Sequence, residues 1–192
     1  VLSRLVKLVK RCTEAFNAYD YYGAVTAIHA FFWHDFCDYY LEDVKHRTYG
    51  EPGQSRLAAQ YALHEVLKTC LQLLAPIAPY STESVFIGLG FAAEDGHKSI
   101  HESAWPKALE ELENDSVEQV CGRLHFLLAE VRKHKASKGL ALNEPIAAVK
   151  ILASESEIRE LADYEGELKA IAKIAAVEPV VVPNSEGLKI EF

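Results

Sequence analysis

Apolar residues recur at helical spacing through the first two thirds of this chain of 192 residues. A spacing of three or four residues puts apolar side chains on one stripe of an α-helix, because the helix turns once in roughly 3.6 residues. Prolines and glycines separate the periodic stretches, since both residues oppose helix continuation. The pattern predicts helices over residues 1–17, 21–47, 56–74, 81–88 and 117–138.

Short polar side chains mark where several of these helices begin. We expect Asp20, Ser55 and Ser116 to cap three of them, because such side chains accept hydrogen bonds from the unpaired amides of the first turn. Gly139 follows the last predicted helix, at the position where a left-handed glycine commonly ends one. Long helices with short links are typical of a bundle.

The second predicted helix has an unusually aromatic face. From Phe31 to Lys45 it reads F-F-W-H-D-F-C-D-Y-Y-L-E-D-V-K. A regular α-helix would place acidic, histidine and lysine side chains between the apolar ones, so the segment predicts an amphipathic helix. The apolar stripe of that helix would hold Val25, Ile28, Phe32, Phe36 and either Tyr39 or Tyr40.

The character of the chain changes after residue 145. β-branched or alternating residues predict three short strands, over 146–152, 177–182 and 188–192, with a turn at 183–187 between the last two. Ser154 and Glu157 have the spacing of a capping box, which predicts a helix between the first two strands. The predicted fold class is therefore mainly α. We expect a helical bundle over residues 1–115, then a long helix and a small α+β unit with about three strands over residues 116–192.

The net charge of −8 argues against a protein that coats nucleic acid by bulk electrostatics, because phosphate binding depends on lysine and arginine. The charge is uneven, however, and residues 121–150 hold six basic and two acidic residues. Two interpretations stay open for the cations in this segment. They bind phosphates, or they are solvated at a helix end, where cations complement the helix dipole. The four most closely spaced are Arg132, Lys133, Lys135 and Lys138.

Cysteine usage and hydropathy indicate the environment. The four cysteines lack C-x-x-C spacing in a chain large enough to fold without disulfides, which indicates reduced thiols and a cytoplasmic protein. No apolar run approaches membrane-spanning length, so we expect no membrane partner. The chain begins with Val1 and contains no Met, and we therefore expect it to be a piece of a longer protein.

The sequence lacks motifs for catalysis or metal binding. It has no phosphate-binding glycine loop, and no cysteine lies in a recognisable nucleophile turn. Asp43 and His46, like His97 and His101, have a spacing that suits a metal but lack further ligands nearby. We predict no catalytic residue, no metal and no cofactor in this stretch.

Three segments have the character of family motifs. They read W-x-D-F-C-D-Y-Y-L-E-x-V-K-x-R over 33–47, L-L-A-P-I-A-P-Y-S-T-E over 73–83 and G-L-A-L-N-E-P-I over 139–146, with a W-P pair at Trp105. Together they resemble the anticodon-binding region of valyl-tRNA synthetases, and the archaeal form is the most similar. The A-P-I-A-P-x-x-T-E pattern is shared with the isoleucyl and leucyl enzymes, whereas F-C-D-Y-Y-L-E favours valine.

The resemblance implies the anticodon-binding helical bundle of a class Ia aminoacyl-tRNA synthetase. Its ligand would be the anticodon arm of valine tRNA, whose anticodons share A in the middle and C at the third position. Its other partners would be the catalytic and editing domains of the parent chain, which uses ATP to attach valine. This stretch lacks the H-I-G-H-like and K-M-S-K-S-like signatures of adenylate chemistry, so it would not be catalytic alone.

The resemblance also implies a set of tRNA-binding residues. Aromatic members would stack on bases or buttress other side chains, and polar members would read or position the RNA. The residues that match the motif are Trp33, Phe36, Asp38, Tyr39, Glu42, Lys45 and Arg47. Arg56 is a further phosphate-binding candidate beside the helix–loop junction, although exposed charge and aromatic core packing are alternatives at these positions. The chain departs from many family members at Tyr39, where tryptophan is frequent, and lacks the long basic coiled coil of bacterial relatives.

Two other interpretations stay open. The first is the same domain of an isoleucyl or other close relative, which differs in the anticodon it binds. The second is a helical protein-interaction module whose aromatic face docks a partner helix. The salt dependence of binding distinguishes an RNA-binding domain from a protein-interaction module. RNA binding weakens steeply with salt, whereas peptide binding in an apolar groove tolerates it.

Overall fold

The computed structural model describes residues 1–182 and 187–192. The chain divides into two compact units, Val1–Asn114 and Asp115–Phe192, one residue before the boundary expected from the sequence. The first unit is built from helices. Its α-helices are α1 Leu2–Asn17, α2 Tyr21–Ala30, α3 Leu41–Asp43, α4 Lys45–Thr48, α5 Gln54–Leu74, α6 Pro79–Gly88 and α7 Phe91–Asp95. A π-helix spans Phe31–Tyr40, and single 3-10 turns span Ile100–Glu102 and Glu110–Leu112.

The π-helix corrects the prediction of a regular α-helix over residues 21–47. Phe31 and Phe36 are both buried, five residues apart. At 100° per residue these two side chains would lie about 140° apart on an α-helix, so one would leave the core. The wider turn of a π-helix, with hydrogen bonds to the fifth residue, brings both rings to the same side. The predicted stripe therefore shifts, and Phe32 is only partly buried at its edge.

The core of the first unit is an apolar cluster shared by α1, α2, the π-helix and α5. Leu5, Leu8 and Val9 of α1 meet Ile28 of α2 and Val66 of α5, and all are buried. A smaller cluster joins α5, α6 and α7 around Phe86, which is completely buried. Burial on this scale stabilises the helices more than their intrinsic propensity does.

The segment that follows α7 is tied back onto α1 by polar contacts. Trp105 Nε1 donates to Thr13 Oγ1 at 2.9 Å. Lys10 Nζ pairs with Glu113 Oε2 at 2.8 Å, and this hydrogen bond raises the pKa of the lysine. The extended end of the unit is thus fixed by α1.

The second unit contains a small mixed sheet with helices on one face. Its elements are α8 Asp115–Ser137, β1 Ile146–Ala153, α9 Glu155–Ala162, α10 Glu165–Ala172, β2 Ile174–Val181 and β3 Lys189–Glu191. The described strands pair in the order β2-β1-β3, with β2 parallel and β3 antiparallel to β1. Val149, Ile151 and Ala153 of β1 are buried, whereas Lys150 between them is exposed. Alternation with period two therefore places one sheet face in the core.

These elements confirm the predicted fold class of a helical body followed by a small α+β unit. The cap at Asp20 is confirmed, because its side chain accepts from Gly23 N at 2.8 Å, and Gly139 is left-handed with φ 68°. The caps at Ser55 and Ser116 are wrong, since both residues lie inside helices that begin one residue earlier. Residues 183–186 of the predicted turn lie outside the described residues. No helix in the described chain is long and apolar enough to cross a membrane.

The capping box of α9 gives a first prediction. Ser154 Oγ accepts from Glu157 N, and the Glu157 carboxylate accepts from Ser154 N at 3.1 Å. We expect Ser154→Ala to lower the free energy of unfolding of the second unit by about 1 kcal/mol at pH 7. Hydrogen exchange of the α9 amides measures this change.

The stabilisation that Ser154 gives to α9 depends on pH. The hydrogen bonds from Ser154 lower the pKa of Glu157 below 4.5. Their stabilisation is therefore present above pH 4.5 and is lost as the pH falls through the lowered pKa. The cost of Ser154→Ala should shrink at pH 3, whereas Glu157→Gln, which does not titrate, serves as the control. An equal cost at both pH values would contradict the contribution of the bond between Ser154 Oγ and the Glu157 carboxylate.

Candidate nucleic-acid interface

The outer surface of the π-helix presents an exposed indole. Trp33 is 55% exposed, although tryptophan is usually well covered in a folded protein. The ring of His29, one turn earlier on α2, lies within 10° of the plane of the indole, with centroids 6.4 Å apart. Two nearly parallel rings thus lie next to each other at exposed positions. His29 was missed from the sequence, where its spacing of four from Trp33 was the available signal.

Exposed acidic side chains follow Trp33, with Asp38 on the π-helix and Glu42 on α3 directly after it. Asp38 lies 3.1 Å from His34 Nδ1 through Oδ2. Glu42 accepts from Lys45 Nζ at 2.6 Å. Each carboxylate keeps further acceptor positions, since a carboxylate can accept about four hydrogen bonds. The structure therefore places Trp33, Asp38, Glu42 and Lys45 at exposed positions on the consecutive helices from the π-helix to α4, with Tyr39 partly exposed among them.

Phe36 lies beneath this surface and supports it. It is only 5% exposed, and its ring meets Phe32 at a centroid distance of 5.5 Å and Tyr40 at 6.4 Å. Burial raises the pKa of the Tyr40 hydroxyl, so Tyr40 stays neutral. Of the two roles predicted for aromatic residues, stacking on a base is excluded for Phe36 by its burial, and buttressing is the role that its position allows.

Two arginines that were predicted to bind tRNA form hydrogen bonds across the loop between α4 and α5. Arg47 donates from Nε to Ser55 Oγ and from Nη2 to the Ser55 carbonyl, each at 2.9 Å. Arg56 donates from Nη1 to the Gly50 carbonyl at 3.2 Å. A guanidinium has five donors, so both side chains retain donors for a phosphate after these contacts. Their first role in the fold is to fix the loop.

The position of Lys135 contradicts its prediction as one of four phosphate-binding cations in the second unit. It is 1% exposed, and its Nζ donates to the carbonyls of Leu142 at 2.8 Å and Ala172 at 2.9 Å. Desolvation by burial lowers the pKa of this amine. A group enclosed in this way cannot reach a phosphate, so we withdraw Lys135 as an RNA contact. Helix periodicity turns it inward, because it follows buried Val131 by four residues.

The three remaining cations of this cluster are at the surface. Lys138 is exposed just beyond the end of α8, and Arg132 is partly exposed on the helix. Lys133 pairs with Glu130 at 3.6 Å, on the surface, where such pairs contribute little to stability. These residues are accessible to phosphates, and they remain predicted contacts.

Two cysteines of the first unit, Cys12 and Cys70, are buried. Burial raises the pKa of Cys12 to about 11 and that of Cys70 to about 12. Both thiols stay protonated at neutral pH and are poor nucleophiles. Within residues 1–182 and 187–192, no group of three or more histidine, cysteine or acidic side chains is arranged to hold a metal ion.

Comparison with known proteins connects this surface to a family. The sequence model of a family described as "Anticodon-binding domain of tRNA ligase" matches residues 1–151. A valine–tRNA ligase of Methanothermobacter thermautotrophicus is 41% identical over 152 residues, which are 79% of this chain and 17% of that protein. A valine–tRNA ligase of Methanosarcina acetivorans is 33% identical over 190 residues, 97% of this chain and 21% of that protein.

A bacterial relative gives a similar match. The valine–tRNA ligase of Ehrlichia canis is 40% identical over 149 residues, which are 76% of this chain and 18% of that protein. The chain thus spans about a fifth of the length of the curated relatives it matches. The family model covers the whole first unit, including the π-helix with Trp33, and continues into the second. The chain therefore belongs to the family of anticodon-binding domains of tRNA ligases.

Proposed function

We propose that this chain binds the anticodon arm of valine tRNA as the anticodon-binding part of a valine–tRNA ligase. The observation that carries the proposal is the exposed indole of Trp33 on a helical segment that continues with the exposed carboxylates of Asp38 and Glu42. Single-stranded RNA loops are recognised by such a combination, because their unstacked bases can stack on an aromatic ring while side chains bond their pairing edges.

The acceptors suit the two bases that valine anticodons share. Adenine and cytosine each present an exocyclic amino group, N6 and N4 respectively, and a carboxylate accepts from either. Asp38 and Glu42 supply carboxylates on the exposed side of the helical segment that bears Trp33. A uracil at the third position would present a carbonyl in place of the amino group, and a carboxylate would repel it. This chemistry favours the valine anticodon over one that ends in U.

The remaining features of the function concern the longer protein. In our proposal, the same polypeptide carries catalytic and editing domains and works in the cytoplasm, where it attaches valine to tRNA with ATP. Binding energy from this remote part would help to orient the acceptor end of the tRNA at the catalytic domain. The cations Arg132, Lys133 and Lys138 would position the RNA backbone without reading sequence.

Fluorescence anisotropy with labelled stem-loops tests this function. The stem-loops should carry the valine anticodon, a changed middle base, or U in place of C at the third position, each at 50 and 200 mM salt. We expect either base change to weaken binding about 5-fold or more, since one well-placed contact discriminates by roughly 1–3 kcal/mol. We also expect tighter binding at the lower salt concentration.

Other outcomes of this titration would refute the proposal in different ways. Equal affinity for all three stem-loops would reduce the function to non-specific contact with phosphates. Preference for U at the third position would replace the valine anticodon with that of another close relative. No RNA binding, together with salt-tolerant binding of an amphipathic peptide helix, would identify a protein-interaction module.

A further inference from the structure

Three tyrosines lie within four residues at the turn between α1 and α2. Tyr19 is 79% exposed and Tyr22 is 84% exposed, whereas Tyr21 is about half exposed. The rings of Tyr19 and Tyr21 meet edge to face with centroids 6.4 Å apart. Neither core packing nor the candidate interface described above accounts for this cluster, which we call the tyrosine turn.

The tyrosine turn is firmly anchored to the first unit. Tyr21 packs edge to face on Phe16 at 5.8 Å, and Phe16 packs in the same way on Trp105 at 5.1 Å. The indole of Trp105 donates to Thr13 of α1 at 2.9 Å. A chain of contacts thus runs from the half-exposed ring into the helical body. The exposed rings are held on a fixed base, which is how a preorganised binding surface is built.

Tyr19 also has an uncommon backbone conformation. Its φ is 58°, in the left-handed region that bulky L-residues seldom adopt. The turn is closed by Tyr19 N to Phe16 O at 3.1 Å and Asp20 N to Ala15 O at 2.8 Å, and a glycine would satisfy both bonds with less strain. The ring contributes little burial in return, since most of it is exposed. A strained residue with an exposed side chain is typical of functional surfaces.

The tyrosine turn continues into the surface that bears Trp33. Tyr22, Thr26, His29 and Trp33 are all exposed and follow one another at spacings of four, three and four residues. Such spacing places them along one side of a helix. Eleven residues rise about 16 Å at 1.5 Å per residue. At roughly 3.4 Å per nucleotide, the rise along one strand of a duplex, that length corresponds to about five stacked nucleotides.

We infer that the tyrosine turn is a second stacking site for an unpaired base of the same RNA loop whose anticodon stacks on Trp33. The inference rests on the proposed function and adds a second contact to it. Aromatic rings stack on any base, so this site would add affinity without reading sequence. The turn holds a carboxylate, Asp20, and no cation, so a base fits there better than a phosphate.

Alanine and glycine substitutions test the tyrosine turn in the full chain. We expect Tyr22→Ala to weaken binding of the valine stem-loop about 5- to 30-fold, within the range measured for loss of one stacked base. The slope of affinity against salt should not change, because no ionic contact is lost. Tyr19→Gly should weaken binding in the same direction while its melting temperature stays at or above that of the wild type, because the left-handed strain is relieved.

Tyr80→Ala is the matched control. Tyr80 is 90% exposed on α6, so its removal deletes an equally accessible ring outside the row of residues 22–33. We expect no change in affinity from it. An abasic nucleotide introduced at each loop position in turn should identify one position that weakens wild-type binding but has no effect on Tyr22→Ala.

The outcomes separate this inference from the proposed function. Unchanged RNA affinity in both Tyr22→Ala and Tyr19→Gly would overturn the inference, while loss of binding in Trp33→Ala would leave the proposed function intact. Equal weakening by Tyr80→Ala would also overturn it, because the effect would then not be local. Failure of the wild type to bind any stem-loop would overturn both.

Discussion

Lys135→Ala is expected to lower the free energy of unfolding of the second unit by about 3 kcal/mol. The buried ammonium donates to two carbonyls, and a hydrogen bond to a charged group contributes roughly 1.5–3 kcal/mol. The cost of burying the charge, which appears as a lowered pKa, offsets part of that gain. Removal of the side chain leaves the buried Ala172 carbonyl, and the less enclosed Leu142 carbonyl, without their donor. Loss of the donor to a buried carbonyl belongs among the larger effects of single substitutions.

Hydrogen exchange of the β1 amides across a urea series is the appropriate measurement for Lys135→Ala. Lys138→Ala on the same connection is the control, because Lys138 is exposed and its loss should cost less than about 0.5 kcal/mol. Lys135→Met would fill most of the vacated space and still leave the carbonyls without a donor, so it should also destabilise the unit. Wild-type stability in Lys135→Met would show that packing of the stem, and not hydrogen bonding, is the contribution of Lys135.

Trp33→Ala is expected to weaken binding of the valine anticodon stem-loop about 30-fold without a change in thermal stability. Loss of a stacking ring costs roughly 1–3 kcal/mol per base, and 2 kcal/mol corresponds to a factor of about 30. The fold should tolerate the change, because more than half of the indole surface is exposed and gives little burial energy. Anisotropy of the labelled RNA and the melting curve of the variant measure the two effects separately.

Substitutions that retain a ring refine the test of Trp33. Trp33→Phe keeps a smaller aromatic face and should restore part of the affinity lost in Trp33→Ala. Phe36→Ala is the contrasting variant, since Phe36 is buried and its loss should cost about 3–5 kcal/mol of stability. If Trp33→Ala unfolds at a much lower temperature and binds RNA normally when folded, Trp33 is a structural residue.

The fold class could be predicted from the sequence because its signals are local. Helical spacing predicted α1 and α5, β-branched runs predicted the first two strands, and alternation predicted the third. The π-helix could not be predicted in this way, because the choice between hydrogen bonds to the fourth and the fifth residue depends on where the core lies. Only the packed structure shows that Phe31 and Phe36 must both face inward. The predicted stripe therefore placed Ile28 and Phe36 correctly in the core but missed Phe31.

The candidate site was only partly predictable for a similar reason. Trp33, Asp38 and Glu42 follow from a motif, and the structure places them on one exposed segment. Lys135 looked like its neighbours in a basic run, because composition does not show which lysine of a helix turns toward the core. The tyrosine turn was missed because aromatic residues are usually buried. Their exposure, and the positive φ of Tyr19, depend on how α1 and α2 meet.

Both tryptophans of the chain, Trp33 and Trp105, belong to the first unit. They differ in environment, since one indole is mostly exposed and the other is partly buried and hydrogen-bonded to Thr13. Intrinsic emission therefore contains a solvent-facing component beside the proposed anticodon contact and an enclosed component that depends on the packing of α1. The second unit contains no tryptophan and therefore contributes no indole fluorescence. The chain thus carries a built-in optical label that can distinguish ligand contact from unfolding in its first unit without any added dye.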